Sequence, residues 1–286
     1  MNETARLTDV GTIRDLLTRH GFHFSKKLGQ NFLVNPSVCP RMAEACGATP
    51  ETGVLEIGPG FGVLTRELSA CAGKVVAIEL DERLPSVLRE TLAGRDNVTV
   101  ISGDCLKLDL AALLAEQFGD RPVAVCANLP YYITSPILMH LLESRLPVTN
   151  ITVMVQKEAA QRLCARPGTR AAGAVTLAVH YYAEAEMLFP VSRGSFMPAP
   201  NVDSAVIRLT VRKAPPCAVG DEKKMFRLIR AGFGQRRKTL VNSLTAAGFT
   251  KEAIAAALTA AGISPTARAE ELTLTQFAAI SDALPD

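Results

Sequence analysis

Apolar positions through the middle of the chain alternate between short continuous runs and longer stretches with helical spacing. Val54–Ile57 is a compact apolar run closed by glycines, and Val63–Ala70 behind it reads as a helix. Lys74–Ile78 predicts a second buried strand, Arg83–Leu92 a helix and Val98–Ile101 a third strand. Val123–Cys126 predicts a fourth strand and Ile151–Val155 a fifth, each after a helical segment. Val175–Tyr182 and Ser204–Val211 are expected as two more strands, able to pair as an antiparallel hairpin at one edge. Continuous apolar strands separated by helices predict an α/β fold: a mostly parallel, seven-stranded sheet with helices on both faces.

The pattern then changes. Ala214–Gly220 has the Pro/Gly character of a linker. Glu222–Phe233, Arg236–Ala247, Lys251–Ala261 and Thr275–Leu284 follow, each with helical periodicity and separated by short turns. The expected organisation is a first domain over 1–213, a linker over 214–222 and a small all-α domain over 223–286.

Composition narrows the class. Of 286 residues, 48% are hydrophobic and 21% charged, and no stretch approaches the roughly 20 apolar residues of a membrane helix. The segment from Met1 to Leu17 mixes acidic and basic residues where a signal peptide would carry an apolar core, so a cytoplasmic location is expected. Cysteines stand singly at 39, 46, 71, 105, 126, 164 and 217, and His20 and His23 have no ligand-type companions. Neither a metal site nor a disulfide framework is therefore expected. Net charge is only +3, but Lys223, Lys224, Arg227, Arg230, Arg236, Arg237 and Lys238 fall in one stretch without Asp or Glu. A one-sided run of this kind favours a polyanion.

The candidate chemistry begins at Glu56-Ile-Gly58-Pro-Gly60-Phe-Gly62, between a strand and a helix. Glycines there let the backbone turn sharply and approach a ligand, although a tight turn alone would explain them. Their spacing departs from the dinucleotide fingerprint. Glu79 ends the next strand, where a carboxylate can accept hydrogen bonds from both hydroxyls of a ribose. Asp104 follows the third strand, positioned to read an adenine amino group. Three successive strand ends then make a nucleoside-binding edge, whose first two features a dehydrogenase would share.

Asn128-Leu129-Pro130-Tyr131, after the fourth strand, separates these readings. An adenine N6 is a poor nucleophile because its lone pair is delocalised into the ring. The Asn128 side-chain oxygen and the Leu129 carbonyl can accept its two hydrogens, localising that pair, while Pro130 shapes the turn. Tyr131 offers a face on which the base can stack.

Lys27–Leu33 (KLGQNFL), the Glu56–Gly62 loop, Asn128–Tyr131, Phe196–Ser204 (FMPAPNVDS) and Phe233–Leu240 (FGQRRKTL) occur in one order. Together they resemble the KsgA family of rRNA adenine N6,N6-dimethyltransferases, from about Phe24 to the C-terminus. The resemblance implies a Rossmann-like class I methyltransferase domain, S-adenosyl-L-methionine as methyl donor and 16S rRNA of the immature 30S subunit as partner. It also implies that Asn31 and Leu33 close over the cofactor, that Gly58 meets its methionine end, and that Glu79 and Asp104 hold its ribose and adenine. Asn128 would border the sulfonium, Phe196 would clamp the target adenine against Tyr131, and Arg236, Arg237 and Lys238 would hold RNA phosphates. Asn35 departs from the Asp usual in relatives, with little expected consequence because Asn also caps a helix.

Three alternatives remain at this point. An Erm-type 23S rRNA methyltransferase shares the chemistry, but Erm relatives typically have Ile where Leu129 stands. A ribosome assembly factor would bind the small subunit and methylate only marginally; intact Glu79, Asn128, Pro130 and Tyr131 argue against that. An adenine-specific DNA methyltransferase would use a similar Asn/Asp-Pro-Pro-Tyr motif and usually a separate DNA-recognition domain, which is not seen here. A monomer is expected.

Overall fold

In the computed structural model, residues 7–22, 30–235 and 237–285 are described. His23, Lys27–Gly29 of the first motif and Arg236 lie outside the described residues. The chain divides into two compact units, the first running up to Ala160 and taking in Glu186–Val211. The second comprises Gln161–Ala185 and Arg212–Asp286.

The strands of the main sheet are β2 (Gly53–Ile57), β3 (Lys74–Glu79), β4 (Val98–Ser102), β5 (Val123–Asn128), β6 (Val148–Gln156), β7 (Ala183–Val191) and β9 (Ser204–Val211). Their order is β4-β3-β2-β5-β6-β9-β7. β4, β3, β2, β5 and β6 run parallel, and β9 lies antiparallel to β6. All five residues of β2 are buried, as a strand covered on both faces requires. From β2 the chain steps outward to β3 and β4, then returns to β5 on the other side of β2. That reversal opens a crevice at the carboxyl ends of β2 and β5.

Helices α1 (Val10–Arg19), α2 (Val38–Cys46), α3 (Val63–Cys71), α4 (Leu84–Thr91), α5 (Leu110–Phe118) and α6 (Thr134–Glu143) belong to this unit. Two short strands, β1 (Phe32–Leu33) and β8 (Phe196–Met197), pair antiparallel with Phe32 opposite Met197 and Leu33 opposite Phe196. Phe22, Phe32 and Phe61 join the core there, with the Phe32 and Phe61 rings stacked at 4.0 Å. Sequence periodicity gave no sign of this second sheet, since two residues are too few to carry a period.

The segment Val175–Tyr182 corrects the strand expected there: it lies within α8 (Ala174–Tyr182), after α7 (Lys157–Leu163). Its β-branched and aromatic residues are buried on several sides, so no polar face marks the helix. Thr176 Oγ1 accepts the Gly173 N–H at 2.9 Å and caps its start. The strand is instead β7, hidden because Glu184, Glu186, Met187 and Pro190 are exposed. As the last strand in the sheet order it tolerates proline and outward charge.

The second unit contains α8 with α9 (Glu222–Gly234), α10 (Leu240–Ala246), α11 (Lys251–Ala260) and α12 (Leu274–Ala283). The helical part therefore includes residues that a division at 213 assigned to the first domain. The Tyr181 and Tyr182 hydroxyls donate to the Glu222 carboxylate at 3.1 and 2.7 Å, and the Phe226 ring lies against both tyrosines. These contacts tie α8 to α9. The helix expected from Arg236 starts later, at Leu240, because Thr239 caps it by accepting the Asn242 N–H. Replacing Glu222 with Ala removes an acceptor from the hydroxyls of two buried tyrosines. It should destabilise the second unit by about 2 kcal/mol in urea titrations followed by tyrosine fluorescence.

Candidate active site

Glycine-rich backbone meets the crevice first. Gly58, Gly60 and Gly62 adopt φ of 70°, 59° and 81° between β2 and α3. A Cβ on Gly58 would project into open space, whereas one on Gly60 would stand 3.1 Å from the Phe32 ring. The loop thus leaves room at Gly58 and is closed beneath by the Phe32–Phe61 stack.

Three of the parallel strands then deliver a polar group at or just beyond their carboxyl ends. Glu79, the last residue of β3, is buried, accepting the Asp81 N–H at 2.8 Å on one oxygen and the Gly60 N–H at 3.3 Å on the other. Asp81 in turn accepts from Gln30 Nε2 at 2.8 Å and from the Arg83 guanidinium at 2.6 and 2.8 Å. Asp104, beyond β4, accepts the Leu106 N–H at 3.1 Å. Asn128 ends β5, and its side chain makes no hydrogen bond among the described residues. The Leu129 N–H is engaged by Met154 O at 3.2 Å, and Leu129 itself is buried. Pro130 O accepts from Thr134 Oγ1 at 3.2 Å, fixing the turn, and the Tyr131 hydroxyl meets Ser204 Oγ at 2.6 Å.

The catalytic and cofactor-contact residues expected from sequence line one open cleft of about 1170 Å³, the solvent at its mouth included: Asn31, Leu33, Gly58, Glu79, Asp104, Asn128, Leu129, Pro130, Tyr131 and Phe196. Leu33 and Phe196 arrive as opposed residues of β1 and β8. The Val34 N–H donates to Ser195 O at 2.8 Å and Asn35 Nδ2 to Ser195 Oγ at 3.1 Å, extending that pairing. Asn35 Oδ1 also accepts the Ser37 N–H at 3.0 Å, just before α2. The amide thus both donates and accepts, which a carboxylate in its place would not do.

Sequence reasoning left several lining residues without a role, among them Gln30, Glu56, Phe61 and Tyr132. Glu56 is the most unusual: it is only 1% exposed, and its Oε2 has no hydrogen-bond partner among the described residues. Burial pushes its carboxyl up to about 8, the Thr65 hydroxyl offsetting this in part and the Glu79 carboxylate adding to it. Its position two residues before Gly58 was the available signal. Burial also raises the Glu79 carboxyl and the Tyr131 phenol above their ordinary values, while Arg83 holds Asp81 below its own.

The charged side chains lining the cleft are Glu56, Glu79 and Asp104, with no Lys or Arg among the described lining residues. Such a lining disfavours the pyrophosphate of a dinucleotide and suits a cation. The unpartnered Glu56 Oε2, the space at Gly58 and the carboxylates at the strand ends fit a nucleoside that also carries positive charge and an amine. Among the described residues, no three His, Cys, Asp or Glu side chains group to hold a metal ion, and no helix is long and apolar enough to cross a membrane.

In the second unit, Lys223, Arg227 and Arg230 are exposed at helical spacing on α9, and Arg237 and Lys238 are exposed just after it. Lys224 belongs to the same run but is buried, its ammonium donating to Leu284 O at 2.5 Å. It is therefore subtracted from the basic surface.

The Glu56 carboxyl makes stability pH-dependent. As pH rises from the ordinary value of 4.5 to about 8, the unfolded chain releases this proton and the native chain retains it. The unliganded protein should therefore lose up to about 1.4 kcal/mol per pH unit across that window from this group. Urea titrations at pH 5 and pH 8 should show a smaller difference for Glu56→Gln than for the wild type; an equal difference excludes Glu56 as its source.

Comparison with known proteins bears on what this cleft does. The family model described as ribosomal RNA adenine dimethylase matches residues 21–286. The chain is 50% identical to the ribosomal RNA small subunit methyltransferase A of Geobacillus thermodenitrificans, over 96% of this chain and 95% of that one. It is 45% identical to the Enterococcus faecalis protein of the same name, over 99% and 98%. Among solved structures, a dimethyladenosine transferase from Plasmodium falciparum aligns with a TM-score of 0.73 at 26% identity, covering 87% of this chain and 95% of that one. The 23S rRNA methyltransferase ErmE aligns with a TM-score of 0.68 at 30% identity, covering 89% and 99%. With the family model matched over nearly its whole length and relatives about half identical across both units, this chain belongs to the ribosomal RNA adenine dimethylase family.

Proposed function

We propose that this protein methylates N6 of two adjacent adenosines in the 3′-terminal hairpin loop of 16S rRNA, using S-adenosylmethionine, during maturation of the small ribosomal subunit. The observation that carries the reading is the meeting of Asn128–Tyr131 and Phe196 with Gly58, Glu79 and Asp104 in one acid-lined cleft. When bound, S-adenosylmethionine supplies an electrophilic methyl group on a positively charged sulfur. Asn31 and Leu33 cover it, Gly58 gives room for its amino-acid end, Glu79 accepts from the ribose hydroxyls and Asp104 from the adenine amine.

The target adenine leaves its stack, at least cost in a loop, and enters between Tyr131 and Phe196. Asn128 Oδ1 and the Leu129 carbonyl accept the two N6 hydrogens, so the nitrogen lone pair turns toward the methyl group. N6 would then attack the methyl carbon in line as its bond to sulfur breaks, S-adenosylhomocysteine would leave, and the acidic proton on the four-bonded nitrogen would pass to solvent. Orientation by these groups supplies most of the catalysis, with no protein base required. The exposed cations Lys223, Arg227, Arg230, Arg237 and Lys238 hold phosphates around the loop, and Arg236, outside the described residues, is assigned the same role.

The Erm-type alternative is weaker. The chain is 50% identical to a protein named for the small subunit and 30% identical to the 23S enzyme, and Leu129 stands where Erm relatives carry Ile. The enzyme acts as a monomer in the cytoplasm, on the immature 30S particle.

Labelled S-adenosylmethionine offered with undermethylated small subunits, large subunits and duplex DNA should give dimethyladenosine in small-subunit RNA alone, identified by mass spectrometry. Asn128→Ala should lower that rate by about 100-fold, a loss typical of removing one preorganised polar contact at the reacting atom. Label in large-subunit RNA would transfer the protein to the Erm branch. Separately, Arg237→Ala should weaken subunit binding and reduce the slope of log affinity against log salt by about one, measured by filter binding from low to moderate salt.

A further inference from the structure

Tyr131 and Tyr132 begin a single 3₁₀ turn, Tyr131–Ile133, yet the structure treats them differently. Tyr131 is half-buried, with its hydroxyl at 2.6 Å from Ser204 Oγ. Tyr132 is 58% exposed, above Leu80 at 48%, Val202 at 44%, Met187 at 41% and Val10 at 37%, the other exposed large hydrophobics among the described residues. Its hydroxyl makes no hydrogen bond among the described residues, but the residue lines the same cleft as Tyr131 and Phe196. Successive residues of a 3₁₀ turn project about 120° apart, so one ring faces the cleft while its neighbour stands at the rim.

The backbone beneath that rim ring is held. Ile133 N–H and Thr134 Oγ1 both reach Pro130 O at 3.2 Å, and Thr134 is buried. A tyrosine has only two side-chain torsions to restrict on binding, so an exposed ring on a fixed turn makes a contact surface at low entropic cost. Among the described residues, no hydrogen bond or ring contact engages that ring.

The reaction creates a need for it. Drawing one adenine out of its stack leaves the adjoining base without a stacking partner, directly outside the cleft mouth. We propose that Tyr132 is the stacking platform for the nucleotide next to the target adenosine, making it a substrate-binding residue of the RNA site. This rests on the function proposed above. A fixed strand direction keeps the stacked base on one side of the target, so in one round it is the second adenosine and in the other the nucleotide flanking the pair. The platform thus holds the pair in register through both rounds, and any base satisfies it because every base has a face.

The test uses the full-length enzyme and undermethylated small subunits, with wild type, Tyr132→Phe, Tyr132→Leu and Tyr132→Ala. KM and kcat for subunits are read separately, with S-adenosylhomocysteine affinity and melting temperature as controls. Tyr132→Phe should stay within about twofold of wild type, while Tyr132→Ala should raise KM about tenfold, the scale of one lost base–aromatic stack. Cofactor affinity and melting temperature should not move, and mass spectrometry of the RNA fragment should show more molecules modified at only one of the two positions. A wild-type KM in Tyr132→Ala overturns the platform, as does a Tyr132→Leu enzyme equal to Tyr132→Phe, since apolar area rather than an aromatic face would then suffice. Should Tyr132→Ala not fold, the Leu and Phe pair decides alone. Wild-type enzyme that binds S-adenosylhomocysteine but leaves small subunits unlabelled would remove the proposed function itself, and the platform with it.

Discussion

Parallel strands covered on both faces leave one line along which polar side chains can meet a ligand, the edge formed by their carboxyl ends. Here that edge is opened by the return of the chain from β4 to β5 beside β2. The cleft lies along that edge. Glu79 and Asn128 are the last residues of β3 and β5, so strand spacing sets their separation, while Gly58 and Asp104 stand just beyond β2 and β4.

Charge is sorted in step with this architecture. A net charge of +3 conceals an acid-lined cleft in the first unit and a basic helix face in the second. An acidic lining suits a cationic ligand and a basic helix face suits a polyanion. Lys224 shows that the sorting is made by the fold: it lies inside the basic run, but its ammonium is spent on Leu284 O in the interior.

Aromatic rings supply the remaining geometry. Phe32 and Phe61 stack below the glycine loop, Phe196 is held opposite Leu33 by the β1–β8 pairing, and Tyr131 is tethered to Ser204. The segment that carries Leu33 and the segment that carries Phe196 are therefore hydrogen-bonded to each other, including through Asn35 and Ser195. One short sheet brings both to the cleft, which Tyr132 also lines.

Sequence by itself determined the five parallel strands, the glycine loop, the strand-end residues and the motif at Asn128–Tyr131. Their signals are local: continuous apolar runs, a glycine spacing and polar residues at run ends survive without knowledge of neighbours. It also contained the family relation, because five motifs in one order leave little freedom. Tertiary structure decided what depends on burial from several sides at once. Val175–Tyr182 carries strand-forming residues but is helical because its surfaces are packed, whereas β7 is a strand despite Pro190 because it lies at an edge. The two-residue strands, the solitary buried carboxylate of Glu56 and the internal ammonium of Lys224 likewise have no periodicity to announce them. Each is created only when distant segments come together and exclude water from one side chain or expose another.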